Sequence, residues 1–231
     1  INVFVKYGCL RDAKFDERMK DFIIYKLTDN TFVTLEEYLA SSEDKKVYYC
    51  ADAKQQAQYV QMLNNAGKKV AVLGGMLDIP FMQHIEMQNQ GVSFVRADAE
   101  LADKDDAENH LFDSLCEETK KLINKDNTEV KAQKMQADIP AVLLVDEFSR
   151  RMDETQKYYG MPSMGNMLKY TLILNTSNPL VESINALDNG ENKDKAIKYV
   201  YDLARLGQGS LSPEEINDFI KASAENLKGT L

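Results

Sequence analysis

Two histidines, three cysteines and one glycine pair are the residues of this 231-residue chain whose types can carry chemistry. His84 and His110 would act as metal ligands only beside Cys, Asp or His at ligand spacing, and neither has such a partner. His84 falls within an amphipathic helical pattern and reads as structural. Cys9, Cys50 and Cys116 stand far apart, which points to reduced thiols in a cytoplasmic protein and away from a disulfide framework or zinc site. Gly74-Gly75, in VLGGMLDIP, follows a strand pattern and precedes a helical one, where a phosphate-binding turn would lie. The third glycine and the lysine of a P-loop are missing, so a plain turn with Asp78 as helix cap is the better reading. A small α/β nucleotide-binding or enzymatic domain using that turn is the alternative function. GxSxG, HExxH and CxxC do not occur, and no catalytic, cofactor-binding or metal-binding residue is assigned.

Interaction chemistry is richer. Residues 150–170, RRMDETQKYYGMPSMGNMLKY, hold four methionines and three tyrosines. Phe148, Met152 and Tyr159 recur at i, i+4 and i+11, one face of a helix running to a stop at Gly160. Arg150, Arg151, Asp153, Glu154 and Lys157 occupy the rest. That apolar face either docks on its own domain or, with Met161, Met164 and Met167 following among Gly and Pro, forms an adaptable surface for apolar partners. Near the C-terminus, Ile197, Val200, Tyr201 and Ala204 line one helix, and Ile216, Phe219, Ile220 and Leu227 line the next. Those stripes bury either on their own domain or against the same helices of a second chain.

The elements that position these residues fall into two halves. Helical spacing of Phe15, Met19, Phe22 and Ile23 predicts an amphipathic helix over 12–27. Thr34 and Glu37 have capping-box spacing. Strand patterns at 47–51, 68–75 and 92–97 alternate with helical ones at 54–67 and 79–91, which predicts a small parallel sheet covered by helices. From Asp98 to Glu118 nine acidic residues face a single lysine, and 97–109 reads as a solvated linker with a boundary near Asp106. Beyond it, a helix over 110–123 carries Leu111, Leu115 and Leu122 on one side. Residues 129–135 and 141–147 read as a pair of strands around Asp138-Ile139-Pro140, and 168–175 as a third. Asn178-Pro179 and Ser212-Pro213-Glu214-Glu215 each open a helix. The fold class is therefore α/β plus α+β: a small parallel-sheet α/β/α subdomain, then an α+β domain ending in two antiparallel helices.

A net charge of −9 without a basic stripe argues against nucleic acid as a partner. AVLLV (141–145), among the longest apolar runs, is far too short to span a membrane. The chain opens on INVFVKYG, without an initiator Met or a signal segment, and reads as a fragment of a longer protein.

In order along the chain, VTLEEYL, KKVYYCADAKQQA, QMLNNAGKKVAVLGGMLD, LILNTSNPLVESI and YDLARLGQGSLSPEEINDFI resemble the heat-shock protein 90 chaperone family. The C-terminal KASAENLKGTL lacks the eukaryotic MEEVD tail, so the likeness is to the bacterial HtpG type. YGCLRD, MQNQG and Pro80 depart from the family's usual residues.

The resemblance implies that residues 1–106 are the tail of a middle domain and 107–231 a C-terminal dimerisation domain. It implies a homodimeric, ATP-driven chaperone of unfolded or partly folded client proteins. ATP and Mg would bind a domain upstream of Ile1, so the fragment itself would hydrolyse nothing. The client-binding residues would be Phe148, Met152, Gln156, Tyr159, Met161 and Met164, with Met152, Gln156 and Tyr159 on the family's M-x3-M-x2-L spacing. The dimer interface would be the two C-terminal stripes, and the adaptable-surface reading of 150–170 is favoured.

Overall fold

The structure, a computed structural model, describes residues 2–42, 44–99, 110–135, 137–162 and 167–228. The chain divides into two compact units: Ile1–Ala102 with Glu147–Leu168, and Asp103–Asp146 with Lys169–Leu231. The expected boundary near Asp106 and residues 100–109 of its acidic linker lie outside the described residues. At the linker's start Ala97 and Asp98 are buried and not solvated, because Asp98 pairs with Arg96. Mixed α/β structure with both parallel and antiparallel pairing agrees with the fold class expected.

Unit 1 begins with α1 (Asn2–Arg11) and α2 (Ala13–Met19). The helix expected over 12–27 ends early, through a 3-10 turn at Lys20–Phe22, and Ile24–Lys26 is strand β1. Ile23, Ile24 and Tyr25 are β-branched or aromatic and favour extended chain. Asp29-Asn30 then reverses the chain: Asn30 sits at φ 68°, and Asp29 Oδ1 accepts the Thr31 amide at 2.9 Å. Strand β2 (Phe32–Thr34) returns antiparallel to β1, burying Tyr25 in the core. Thr34 and Glu37 form the expected capping box of α3 (Leu35–Ala40).

Three parallel strands follow, in the order β4 (Ala71–Val72), β3 (Lys46–Cys50), β5 (Ser93–Arg96). Helices α4 (Ala57–Asn65) and α5 (Asp78–Gln88) make the crossovers. Central β3 is buried from Val47 to Cys50, as suits a parallel strand with neighbours on both sides. Val47, Tyr49, Leu73, Phe81, Ile85 and Phe94 join in one core. Tyr49 pairs in register with Arg96, which sets both near the C-terminal edge of the sheet.

In unit 2, α6 (Asp113–Ile123) buries Leu115 and Thr119 while Leu111 and Leu122 are exposed. The expected leucine side is thus broken: Leu111 sits in a 3-10 turn that shifts the helical phase, and Leu122 lies in the exposed last turn of α6. Strands β6 (Thr128–Gln133) and β7 (Ala141–Val145) do not pair with each other. β8 (Tyr170–Asn175) lies between them, parallel to β6 and antiparallel to β7. β6 has the mixed exposure of an edge, Leu172 to Asn175 of central β8 are all buried, and β7 is buried throughout although it is also an edge, α9 packing on it. Asn178 caps α8 (Pro179–Asn185), with proline at its first turn, as expected. Helix α9 (Glu191–Gln208) packs on β7, and α10 (Pro213–Lys228) starts from a reciprocal Ser212–Glu215 pair, also as expected.

Asn175 ties the segment between β6 and β7 to the sheet. Its Oδ1 accepts the Met135 and Ser177 amides, both at 3.1 Å. Its Nδ2 donates to the carbonyls of Ala137 and Ile139, at 2.8 and 2.9 Å.

Candidate functional site

Between β7 and β8 the chain makes an excursion, from Glu147 to Leu168, that belongs to unit 1. It carries α7 (Glu147–Tyr158), which ends in a turn at Gly160, φ 72°. The polarity of α7 is inverted. Arg150 is 4% exposed and Asp153 3%, whereas Phe148 is 74% exposed and Met152 50%.

The inward face is held by charge-assisted bonds. Arg150 donates to the Tyr49 hydroxyl and lies over its ring, 5.7 Å from the centroid. The same guanidinium reaches Glu147 at 2.6 Å and Glu154 at 2.5 Å. Arg151 pairs with Glu86 of α5 at 2.7 Å and donates to the Phe94 carbonyl. Arg96 meets Asp98 at 2.5 Å and Glu154 at 3.3 Å. Burial works to lower the Arg150 pKa, but Tyr49, Glu147 and Glu154 outweigh it and hold the guanidinium above its ordinary value. Burial pushes the Tyr49 phenol up, so it remains a neutral hydroxyl between Arg150 and Glu147.

Of the residues expected to meet client proteins, Phe148, Met152, Tyr159 and Met161 are exposed and Gln156 is half-buried. Met164 lies outside the described residues. Sequence reasoning missed Tyr49, Glu86 and Arg96 as the groups that seat this helix. A signal was present: charges at 147, 150, 151 and 154 recur at i, i+3, i+4 and i+7, a stripe as regular as the apolar one.

The glycine turn is built for packing. A Cβ on Gly74 would stand 2.3 Å from the Ala51 carbonyl oxygen, so the glycine permits close approach to the residue after β3. Asp78 is the first residue of α5 and not its cap, and its carboxylate accepts the Gly75 amide at 2.7 Å. It also pairs with buried Lys6. A carboxylate therefore fills the position a phosphate would take, and the turn does not fit ATP.

Cys9, Asp16 and His84 come together, with His84 Nε2 2.9 Å from Asp16. This is not an activated thiol, because burial, helped by Asp16, pushes Cys9 to about 11. Burial likewise pushes Cys50 and Cys116 to about 11. Against an ordinary value of 9.0, each folded thiol should hold about a hundredfold less thiolate near pH 8. Labelling with an aromatic disulfide reagent at that pH is expected to be slowed at least that much, with all three thiols reacting once the chain is unfolded. His110 pairs with Asp113 at the surface, 3.0 Å apart. Among the described residues no group of three ligand side chains can hold a metal, and no helix is long and apolar enough to cross a membrane.

The C-terminal stripes are placed differently from each other. Ile197, Val200, Tyr201 and Ala204 are buried in the core of unit 2, beside Leu143, Leu172 and Val181. On α10, Ile216 and Phe219 are half-buried and Ile220 is 57% exposed. Phe219 stacks on Tyr199 of α9 with centroids 5.1 Å apart. Leu227 belongs to α10.

The sequence matches the family described as Hsp90 protein over residues 2–231. It is 30% identical over 207 residues to the chaperone protein HtpG of Porphyromonas gingivalis strain ATCC 33277, covering 80% of this chain and 30% of that protein. To the HtpG of Bacteroides thetaiotaomicron it is 26% identical over 212 residues, again 80% of this chain and 30% of the relative. To that of Bacteroides fragilis strain YCH46 it is 24% identical over 220 residues, 83% of this chain and 31% of the relative. The chain thus spans about 30% of the length of these curated relatives. With the match running from the second residue to the last, the chain belongs to the Hsp90 family.

Proposed function

We propose that these residues form the client-binding and dimer-forming part of an ATP-dependent molecular chaperone. The observation that carries the reading is the inverted polarity of α7. Arg150, Arg151 and Glu154 are spent on seating it, and Phe148 and Met152, with Tyr159 and Met161 beyond the helix, are left exposed. A flexible, polarizable Met surface adapts to many apolar segments, as a binder of unfolded polypeptides requires. Residues 1–106 are assigned to the tail of the middle domain and 107–231 to the dimerisation domain. A second copy of the chain is assigned to α10, through Ile216, Phe219 and Ile220, since the α9 stripe is buried in its own unit. Two copies would then present two adaptable faces, raising the effective concentration for one client. ATP and Mg are assigned to a part of the whole protein outside these residues, and its setting to the cytoplasm.

Replacing Phe148 and Met152 together by serine tests the client face. Each apolar side chain is worth about 1.5–3 kcal/mol when buried by a partner. Capture of a permanently unfolded polypeptide, read by fluorescence anisotropy, is expected to weaken by at least about tenfold. Both residues are exposed, so the thermal midpoint should stay put. Unchanged capture with the fold intact would place the binding surface elsewhere.

A further inference from the structure

We infer that α7 is a releasable lid, held by ion pairs over an apolar cleft of unit 1. The cleft has a volume of ≈ 380 Å³. Tyr49, Leu73, Met76, Ile79 and Pro80 line its wall, and Arg150, Glu154 and Tyr159 close its other side. Wall and cover differ in kind. The wall is largely apolar and belongs to β3, the loop after β4 and α5. The cover is seated through polar bonds: Arg150 to the Tyr49 hydroxyl, Arg151 to Glu86 and to the Phe94 carbonyl, and Glu154 to Arg96.

The two kinds of contact release at different cost. Lifting an apolar face off a core exposes surface at about 25 cal/mol per Å². Lifting charged groups returns them to water, which repays much of the bonding they lose. Phe148 and Met152 already face away from the seat, so their exposure does not change on release, and the apolar cost is limited to the wall that α7 uncovers. The excursion is also closed at its base without the lid. Asp146 N donates to the Lys169 carbonyl at 2.9 Å, next to the Val145–Tyr170 pair of β7 and β8. Release of α7 therefore breaks no sheet bond. Resting on the assignment of α7 as the client-binding helix, the lid regulates that site: when open, it adds Tyr49, Ile79 and Pro80 to the apolar surface offered to an unfolded polypeptide.

The test is amide hydrogen exchange, followed by mass spectrometry on the whole chain with no polypeptide present, in the double variant Tyr49→Phe, Glu86→Gln. Tyr49→Phe keeps the buried ring and removes its hydroxyl. Glu86→Gln keeps an acceptor for the Phe94 amide, which Glu86 takes at 2.6 Å, and removes the charge that holds Arg151. The α7 sequence itself is untouched. Exchange in α7 is expected to quicken by about tenfold while β3 and β8 keep their protection, and ~1 M salt should act in the same direction on the unaltered chain. Exchange in α7 that is indifferent to both treatments, or that quickens only together with β3, would overturn the lid. Because no client enters this measurement, its failure is separate from that of the Phe148–Met152 capture experiment.

Discussion

An Ile197→Asp variant is expected to unfold unit 2 instead of merely splitting a dimer. Ile197 is 4% exposed and packs in one core with Leu143, Leu172 and Val181. An unpaired carboxylate there costs on the order of 5 kcal/mol, comparable with the whole stability of a domain of this size. Urea unfolding followed by far-UV circular dichroism should show the midpoint collapse. Ile220→Asp is the contrasting case. Ile220 is 57% exposed, so the fold should lose less than about 0.5 kcal/mol. If α10 joins two copies, that change should instead shift sedimentation toward the monomer at tens of micromolar. A well-folded Ile197→Asp would refute the burial argument, and an Ile220→Asp that sediments like the parent would remove α10 from the interface.

Asn175→Ala should have the next largest effect, about 4 kcal/mol. The side chain is fully buried and makes four bonds, two accepted and two donated, all to backbone groups. Truncation leaves two amides and two carbonyls short of a partner, at roughly 1 kcal/mol or more each. Asn175→Asp sharpens the point because it keeps the shape. Its carboxylate can still accept from Met135 and Ser177, but it faces the carbonyls of Ala137 and Ile139 with no proton to give. Asp should therefore be at least as damaging as Ala at neutral pH and should recover somewhat as the carboxyl protonates in acid. Chemical denaturation at pH 7 and pH 4 reads both. Equal stability of all three chains would mean that the segment before β7 is not tied by this residue.

The features legible in the sequence are those settled within a few residues. Thr34–Glu37, Asn178-Pro179 and Ser212–Glu215 announce helix starts because cap and amide are three positions apart. The parallel sheet of unit 1 was legible because helix-length crossovers separate its strands. Strand order in unit 2 was not, since β7 is buried throughout and still takes an edge, and β8 reaches the centre through pairings such as Thr128 with Tyr170, more than forty residues apart. Helix α7 shows a deeper limit. A periodic stripe says that a helix has two faces and does not say which one is wet. Phe148 and Met152 pointed to an apolar face, and only Tyr49, Glu86 and Arg96, distant in sequence, turn the charged face inward.

The bond between Asp146 N and the Lys169 carbonyl has a consequence for how such a chain can diverge. Below it, β7 and β8 are an ordinary hairpin whose register is set by Val145 opposite Tyr170. In sequence, 147–168 falls between the two strands and belongs to unit 1. Changes on the exposed face of α7 leave the register of β7 and β8 undisturbed. The exposed face of α7 can therefore diverge apart from the strands, whereas Arg150, Arg151 and Glu154 stay bound to the packing of unit 1.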